Sequence, residues 1–199
     1  MDEHEFWFIF AKKNMTRIDV IQPEDASGEL KEIYDELMQS RGKLAEVHKI
    51  QSLNPKTITN HMDLYMTIMF GKSPLKRVYR EMMAVIVSRK NGCLYCQQHH
   101  MEAVLHYWKD QEKVELLRTD YTCLELTEKE MALCIYADKL TCYPEGAGRE
   151  DYTQPLKDAG WDDRAVLDAT LVISYFNFVN RIVMGLAVQP EENVGGYKY

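Results

Sequence analysis

The sequence has no alternating apolar and polar run of strand length bounded by hairpin turns, no internal repeat and no glycine-rich phosphate loop. These gaps argue against a sheet protein, a solenoid and P-loop chemistry. A basic surplus is also missing: 24 Lys and Arg stand against 31 Asp and Glu, a formal net charge of -7. Nucleic acid and anionic membrane both attract basic surfaces, so neither is an expected partner. Five cysteines, an odd number without a regular framework, suit a reducing compartment better than a disulfide-stapled fold. The start, Met1 to Glu5, is not basic and only Phe6 to Ala11 is apolar, too little for a secretory signal. The expected localisation is cytoplasmic.

What is present reads as helix. At 199 residues the chain is long enough for one domain with a substantial core. We expect that domain over residues 17–190, with an N-terminal extension over 1–16 and a tail over 191–199. In the extension, Trp7, Phe8, Ile9 and Phe10 are too few to make a core, so the segment either docks on a neighbouring subunit or frays. From Ser27, a candidate N-cap, Leu30, Ile33, Tyr34, Leu37 and Met38 repeat at helical spacing. Asn54-Pro55 opens a second helix carrying Ile58, Met62, Tyr65, Met66 and Met69, stopped at Gly71.

Ser73-Pro74 repeats that start signal ahead of a helix apolar on most sides, from Leu75 to Val87. Such a helix is usually buried, and Glu81 inside it then needs a partner, with Arg80, Arg89 and Arg181 as candidates. Thr127 to Glu130 is a capping box that launches a helix to about residue 140. A final helix runs from Asp162 or Asp163 to about Val188. Its last twenty residues are apolar enough to raise the question of a membrane span, but Asn177, Asn180 and Arg181 lie inside it. Arg alone costs roughly 2.5 to 3.5 kcal/mol at a helix centre on insertion scales, so we expect a buried bundle helix.

The chemistry gathers between Glu81 and His100. Cys93 and Cys96 form a C-x-x-C pair and His100 follows Cys96 by four, so on a helix all three lie along one face. A free thiol has a pKa of about 8.5 and only its thiolate attacks an electrophile; the first turn of a helix lowers that value. Asn91-Gly92 ends one helix and Cys93 begins the next. His100 can take or relay the Cys96 proton, and Cys93 is placed to trap an oxidised Cys96 as a disulfide. His99 points about 100 degrees away from His100, so the two cannot both face Cys96. His106 is expected at the surface, and Tyr107 and Trp108 as packing groups. Cys123, Cys134 and Cys142 have no activating neighbour at a clear spacing and read as inert.

Glu81, Cys93, Cys96 and His100 match the E-x11-C-x-x-C-x3-H pattern of the alkylhydroperoxidase D-like branch of the carboxymuconolactone decarboxylase superfamily. The segments Ile21 to Tyr34 and Tyr175 to Arg181 are similar to the flanks of its peroxidase-related subgroup. The resemblance implies an all-α, single-domain helical bundle, a homo-oligomer (trimer or hexamer), that reduces hydroperoxides without a cofactor. It further implies that Cys96 is peroxidatic and Cys93 resolving, that His100 and Glu81 relay the proton, and that an external thiol reductant reopens the disulfide. Tyr95 stands where alkylhydroperoxidase D carries a histidine, and a phenol of pKa about 10 is a poor base near neutrality. That departure keeps a second reading open, a thiol-disulfide oxidoreductase or redox stress sensor. A third is a metal site of Cys93, Cys96 and His100 with Cys123 or His99, for which structural zinc would want four ligands. The superfamily's cofactor-free decarboxylases and a purely structural helical protein stand behind these.

Overall fold

A computed structural model describes residues 16–191. The expected docking of Trp7, Phe8, Ile9 and Phe10 lies outside those residues, as does the tail from residue 192. Among the described residues all regular structure is helical. The order is α1 (Gly28–Arg41), α2 (Glu46–Lys49), α3 (Pro55–Phe70), α4 (Arg77–Lys90), α5 (Leu94–Trp108), α6 (Gln111–Asp120), α7 (Glu128–Cys142), α8 (Gln154–Asp158) and α9 (Asp163–Gly185). Short 3-10 turns cover Tyr121–Cys123 and Pro144–Gly148.

The chain divides into two compact units, one of Met1–Met62 with Ile182–Tyr199 and one of Asp63–Arg181. In the first, α1 buries Leu30, Tyr34 and Leu37, as its spacing predicts. Ser27 holds the N-cap position without making a side-chain cap bond. The Tyr34 hydroxyl donates to the Ile21 carbonyl at 3.0 Å, and the Ser52 hydroxyl accepts from the Ile21 N–H at 2.9 Å. Arg17 donates to the carbonyls of Met184 and Gly185, the last of α9, where a cation meets the negative helix end. His61 is buried, and its Nδ1 lies 2.8 Å from Gln51 Nε2, a donor, which fixes the neutral ring.

The second unit is built on α4, whose residues from Arg80 to Ser88 are all buried and which packs against α5, α6 and α7. This helix starts one turn later than Ser73-Pro74 suggests, because the Ser73 hydroxyl accepts from the Leu75 N–H and holds the chain in a turn. Buried Arg80 donates to the carbonyls of Ile68, Gly71 and Leu75, closing the end of α3 and the loop after it. Gly92 adopts φ 75° between α4 and α5, a left-handed turn that a glycine makes without strain.

Helix α6, absent from the sequence reading, is capped by Asp110, which accepts from the Lys113 N–H at 3.0 Å. Thr127 and Glu130 form the expected capping box, and α7 runs to Cys142. Asp162 accepts from the Ala165 N–H to start α9, which ends at Gly185, short of Val188. Helix α9 is long and apolar enough to span a membrane by composition, yet 56% of its most apolar window is buried in protein. Tyr107 is exposed, against the packing role expected of it, while Trp108 lies under the Lys113 ammonium.

The first unit carries its own acid sensitivity. Burial lowers His61 from 6.5 to about 4. The unfolded chain therefore takes up a proton that the fold refuses, and stability falls as pH drops from the unfolded value towards the folded one. At about 1.4 kcal/mol per unit, the full loss is on the order of 3 kcal/mol. Urea melts should show this decline beginning near pH 6.5, above the carboxylate range, and His61→Gln should flatten it.

Candidate active site

Helix α4 places Glu81 where no water reaches it, at 0% exposure. A lone carboxylate there would be neutralised by proton uptake, so the fold supplies partners. Arg77, one turn earlier, donates through Nε to Glu81 Oε1 at 2.6 Å and pairs with it again through a terminal guanidinium nitrogen. His100 Nδ1 lies 2.6 Å from the other oxygen, Oε2. Burial pushes the Glu81 carboxyl up, but the His100 and Arg77 charges and hydrogen bonds outweigh it and hold the group below the usual carboxylate range. Of the partners expected from sequence, Arg80 serves backbone carbonyls and Arg181 donates to the Asn177 carbonyl and side chain. Arg77 was the residue missed, although its i, i+4 spacing to Glu81 is a readable signal.

With Nδ1 engaged by Glu81, His100 keeps Nε2 as its free nitrogen for proton transfer. The ring packs edge-on against Phe176 at 4.4 Å. On the exposed side of the pair, Arg77 stacks on Phe70 at 3.6 Å and reaches the Tyr65 hydroxyl at 3.4 Å. Tyr65 in turn lies 5.7 Å from Tyr175, whose burial pushes its phenol well up.

Cys93 is the N-cap of α5 and Cys96 lies in its first turn. Their sulfurs are hydrogen-bonded at 2.9 Å, and both residues are free thiols exposed by 4% or less. Sharing that hydrogen bond, the two thiols titrate as a pair. The hydrogen bond shared with Cys96 holds Cys93 below the ordinary thiol range, against burial and with help from the Cys96 backbone amide. The same bond, together with burial and the nearby Cys93 charge, pushes Cys96 well up, and only a hydrogen bond from the Asn180 side chain acts the other way.

That asparagine belongs to a polar seam the sequence reading did not assign to the site. Asn180 is fully buried and donates to the Ser88 hydroxyl at 3.2 Å. The Ser88 carbonyl accepts from the Cys93 N–H at 2.9 Å and from Gln97 Nε2 at 3.3 Å. Among the described residues no hydrogen bond reaches the buried Gln97 Oε1, one residue along from Cys96. The four residues of the sequence motif therefore fall into two pairs on adjoining helices, Glu81 with His100 and Cys93 with Cys96. Among the described residues His100 bonds to neither sulfur. Tyr95 is buried with its ring 4.5 Å from His99, so His99 stacks there.

The other cysteines are all held towards the neutral thiol. Cys134 is fully buried and pushed up by desolvation, while Cys123 and Cys142 hydrogen-bond to Asp120 and Asp138, which raises both. Among the described residues no cluster of three His, Cys, Asp or Glu side chains is arranged to hold a metal ion.

Residues 55–139, which contain all four motif residues, match the Carboxymuconolactone decarboxylase family. An uncharacterized peroxidase-related protein from Silicibacter sp. TM1040 shares the fold at TM-score 0.81 and 27% identity, over 91% of this chain and 94% of its own. Over residues 55–139 and in its fold, the chain is similar to the alkylhydroperoxidase D-like, carboxymuconolactone decarboxylase superfamily. Two further structures agree in fold alone. One is an alkylhydroperoxidase AhpD core, an uncharacterized peroxidase-related protein from Ralstonia eutropha JMP134, at TM-score 0.79 and 19% identity over 89% and 93% of the chains. The other is the debrominase Bmp8 in complex with 2,3,4-tribromopyrrole, at 0.74 and 20% over 89% and 93%.

Breaking the buried pair should be costly. Glu81→Gln keeps the shape but strands the Arg77 charge, so unfolding free energy at neutral pH should drop by roughly 3 to 5 kcal/mol. Because Glu81 is held low in the fold, its contribution is present above the unfolded carboxylate value and is lost as pH falls through the folded one. Parent and variant denaturation curves should therefore converge in acid.

Proposed function

We propose that the protein is a cysteine-based peroxidase acting on organic hydroperoxides. The observation that carries this reading is the 2.9 Å approach of Cys93 and Cys96 on a helix whose next turn presents His100, itself oriented by a buried Glu81 at 2.6 Å. The Cys96 thiolate attacks the terminal oxygen of a hydroperoxide. A sulfur–oxygen bond forms, the peroxide bond breaks, and the leaving alkoxide takes a proton to depart as an alcohol. His100 supplies that proton through Nε2, having received it from the Cys96 thiol, while Glu81 stabilises the imidazolium. Cys93 then displaces hydroxide from the Cys96 sulfenic acid, which leaves as water with one proton, and a disulfide results. Two equivalents of an external thiol reduce it, becoming a disulfide themselves. Burial of both thiols and the Phe176 ring against His100 favour an organic peroxide. Similarity to an uncharacterized peroxidase-related protein supports the same class.

One observation favours a second reading, a thiol-disulfide oxidoreductase. Cys93, at the helix cap, is the thiol held low, the arrangement that suits attack on another disulfide. The two readings part on variants. With cumene hydroperoxide, Cys96→Ser should lose all peroxide consumption, whereas Cys93→Ser should complete one turnover and stop at a sulfenic acid visible by mass spectrometry. If Cys96→Ser consumes peroxide as the parent does, the assignment of the nucleophile fails. A disulfide that forms only on exchange with an oxidised dithiol would instead favour the oxidoreductase.

A further inference from the structure

We propose that Gln97 positions the hydroperoxide: its side-chain carbonyl accepts the hydrogen of the terminal O–H, the group whose oxygen Cys96 attacks. The inference deepens the peroxidase reading above and rests on Cys96 as the nucleophile.

Gln97 is 2% exposed and stands on the reactive face of α5. Cys93, Cys96, Gln97 and His100 follow at i, i+3, i+4 and i+7, so Gln97 occupies the stretch of that face between the thiols and the imidazole. The orientation of its amide is decided by Ser88. The Ser88 carbonyl can only accept, and it lies 3.3 Å from one end of the Gln97 amide, so that end is Nε2. Oε1 is thereby turned away from Ser88. Flipping the amide would set two carbonyl oxygens against each other.

A buried carbonyl without a donor costs stability, and folded proteins rarely keep one. Here no hydrogen bond reaches Oε1 among the described residues. The donors nearby are engaged elsewhere: Asn180 Nδ2 with the Ser88 hydroxyl, the two thiols with each other, and His100 Nδ1 with Glu81. Nor does the fold depend on the Gln97 amide to satisfy Ser88, whose carbonyl also accepts from the Cys93 N–H at 2.9 Å.

A hydroperoxide supplies the donor that Oε1 lacks, since its one peroxidic hydrogen is on the terminal oxygen. When the Cys96 thiolate attacks that oxygen, the sulfur–oxygen bond forms as the peroxide bond breaks. The hydrogen stays on the same oxygen, which becomes that of the sulfenic acid. One acceptor therefore holds the same O–H before and after the step, while the leaving alkoxide takes its proton from His100. The bond also selects hydroperoxides over peroxides alkylated on both oxygens, which offer no O–H.

The test uses a Cys93→Ser background, where Cys96 oxidation stops at the sulfenic acid, and reads rates by mass spectrometry. Gln97→Met keeps the length and removes the amide. Sulfenic acid formation with cumene hydroperoxide should slow roughly five- to tenfold, as for the loss of one hydrogen bond to an uncharged group. Reaction of Cys96 with methyl methanethiosulfonate, an electrophile without an O–H or N–H, should keep its rate. The urea midpoint should stay or rise, since a buried carbonyl lacking a donor is gone. Equal slowing with both reagents, a lower midpoint or a variant that fails to fold makes Gln97 a structural group and overturns the proposal. Equal oxidation with and without the amide also overturns it, and leaves the peroxidase reading standing. No sulfenic acid in the Cys93→Ser chain that retains Gln97 rejects that reading itself, and the proposal with it.

Discussion

The structure depends on a carboxylate held without water. Glu81 sits at 0% exposure in a helix whose neighbouring positions are almost all apolar, and it is ionised only because Arg77 and His100 each engage one of its oxygens. Pairing with Arg77 is local, one turn along α4. Pairing with His100 is not: it fixes α5 against α4 in a single rotation, which also sets where Cys93 and Cys96 face. A charge that looks like a liability to stability thus specifies the geometry in which the thiols are presented.

The second constraint is polar and neutral. Asn91, Asn177, Asn180 and Ser88 join the end of α4 to α9 by side-chain hydrogen bonds alone, in a region otherwise built from Val172, Ile173, Phe176 and Val179. Such a network is worth keeping only when all its members are satisfied. Here the bonds are directional from one end to the other, so an amide orientation fixed at the Ile173 carbonyl is carried through to the Ser88 hydroxyl. The two thiols are unlike in place: Cys93 caps α5 and Cys96 lies in its first turn.

Much of this was legible beforehand. Helical spacing located α1, α3, α7 and α9, and the unbroken apolar run from Met82 to Val87 marked α4 as the buried helix. The four motif residues were readable because they lie within one turn-linked pair of helices, where spacing in sequence is nearly spacing in space. What escaped obeyed a different rule. Helix α6 has few apolar residues and depends on the Asp110 cap, so periodicity gave it little weight. The cationic partner of Glu81 was sought in Arg80, Arg89 and Arg181, whereas Arg77, the fourth residue before it, supplies it beside His100. Asn180 was seen only as a polar interruption of an apolar helix, since its use depends on Asn91 some ninety positions away, a contact no local pattern encodes.

The central claim is that the Cys93–Cys96 pair delivers two electrons to a peroxide. The direct measurement is the stoichiometry of a single turnover: reduced protein, one equivalent of cumene hydroperoxide, no added reductant, with peroxide and free thiols counted together after denaturation. The account predicts that each peroxide consumed removes two thiols per chain, both from the pair, with Cys123, Cys134 and Cys142 untouched. Peroxide left intact with all five thiols still free would contradict it.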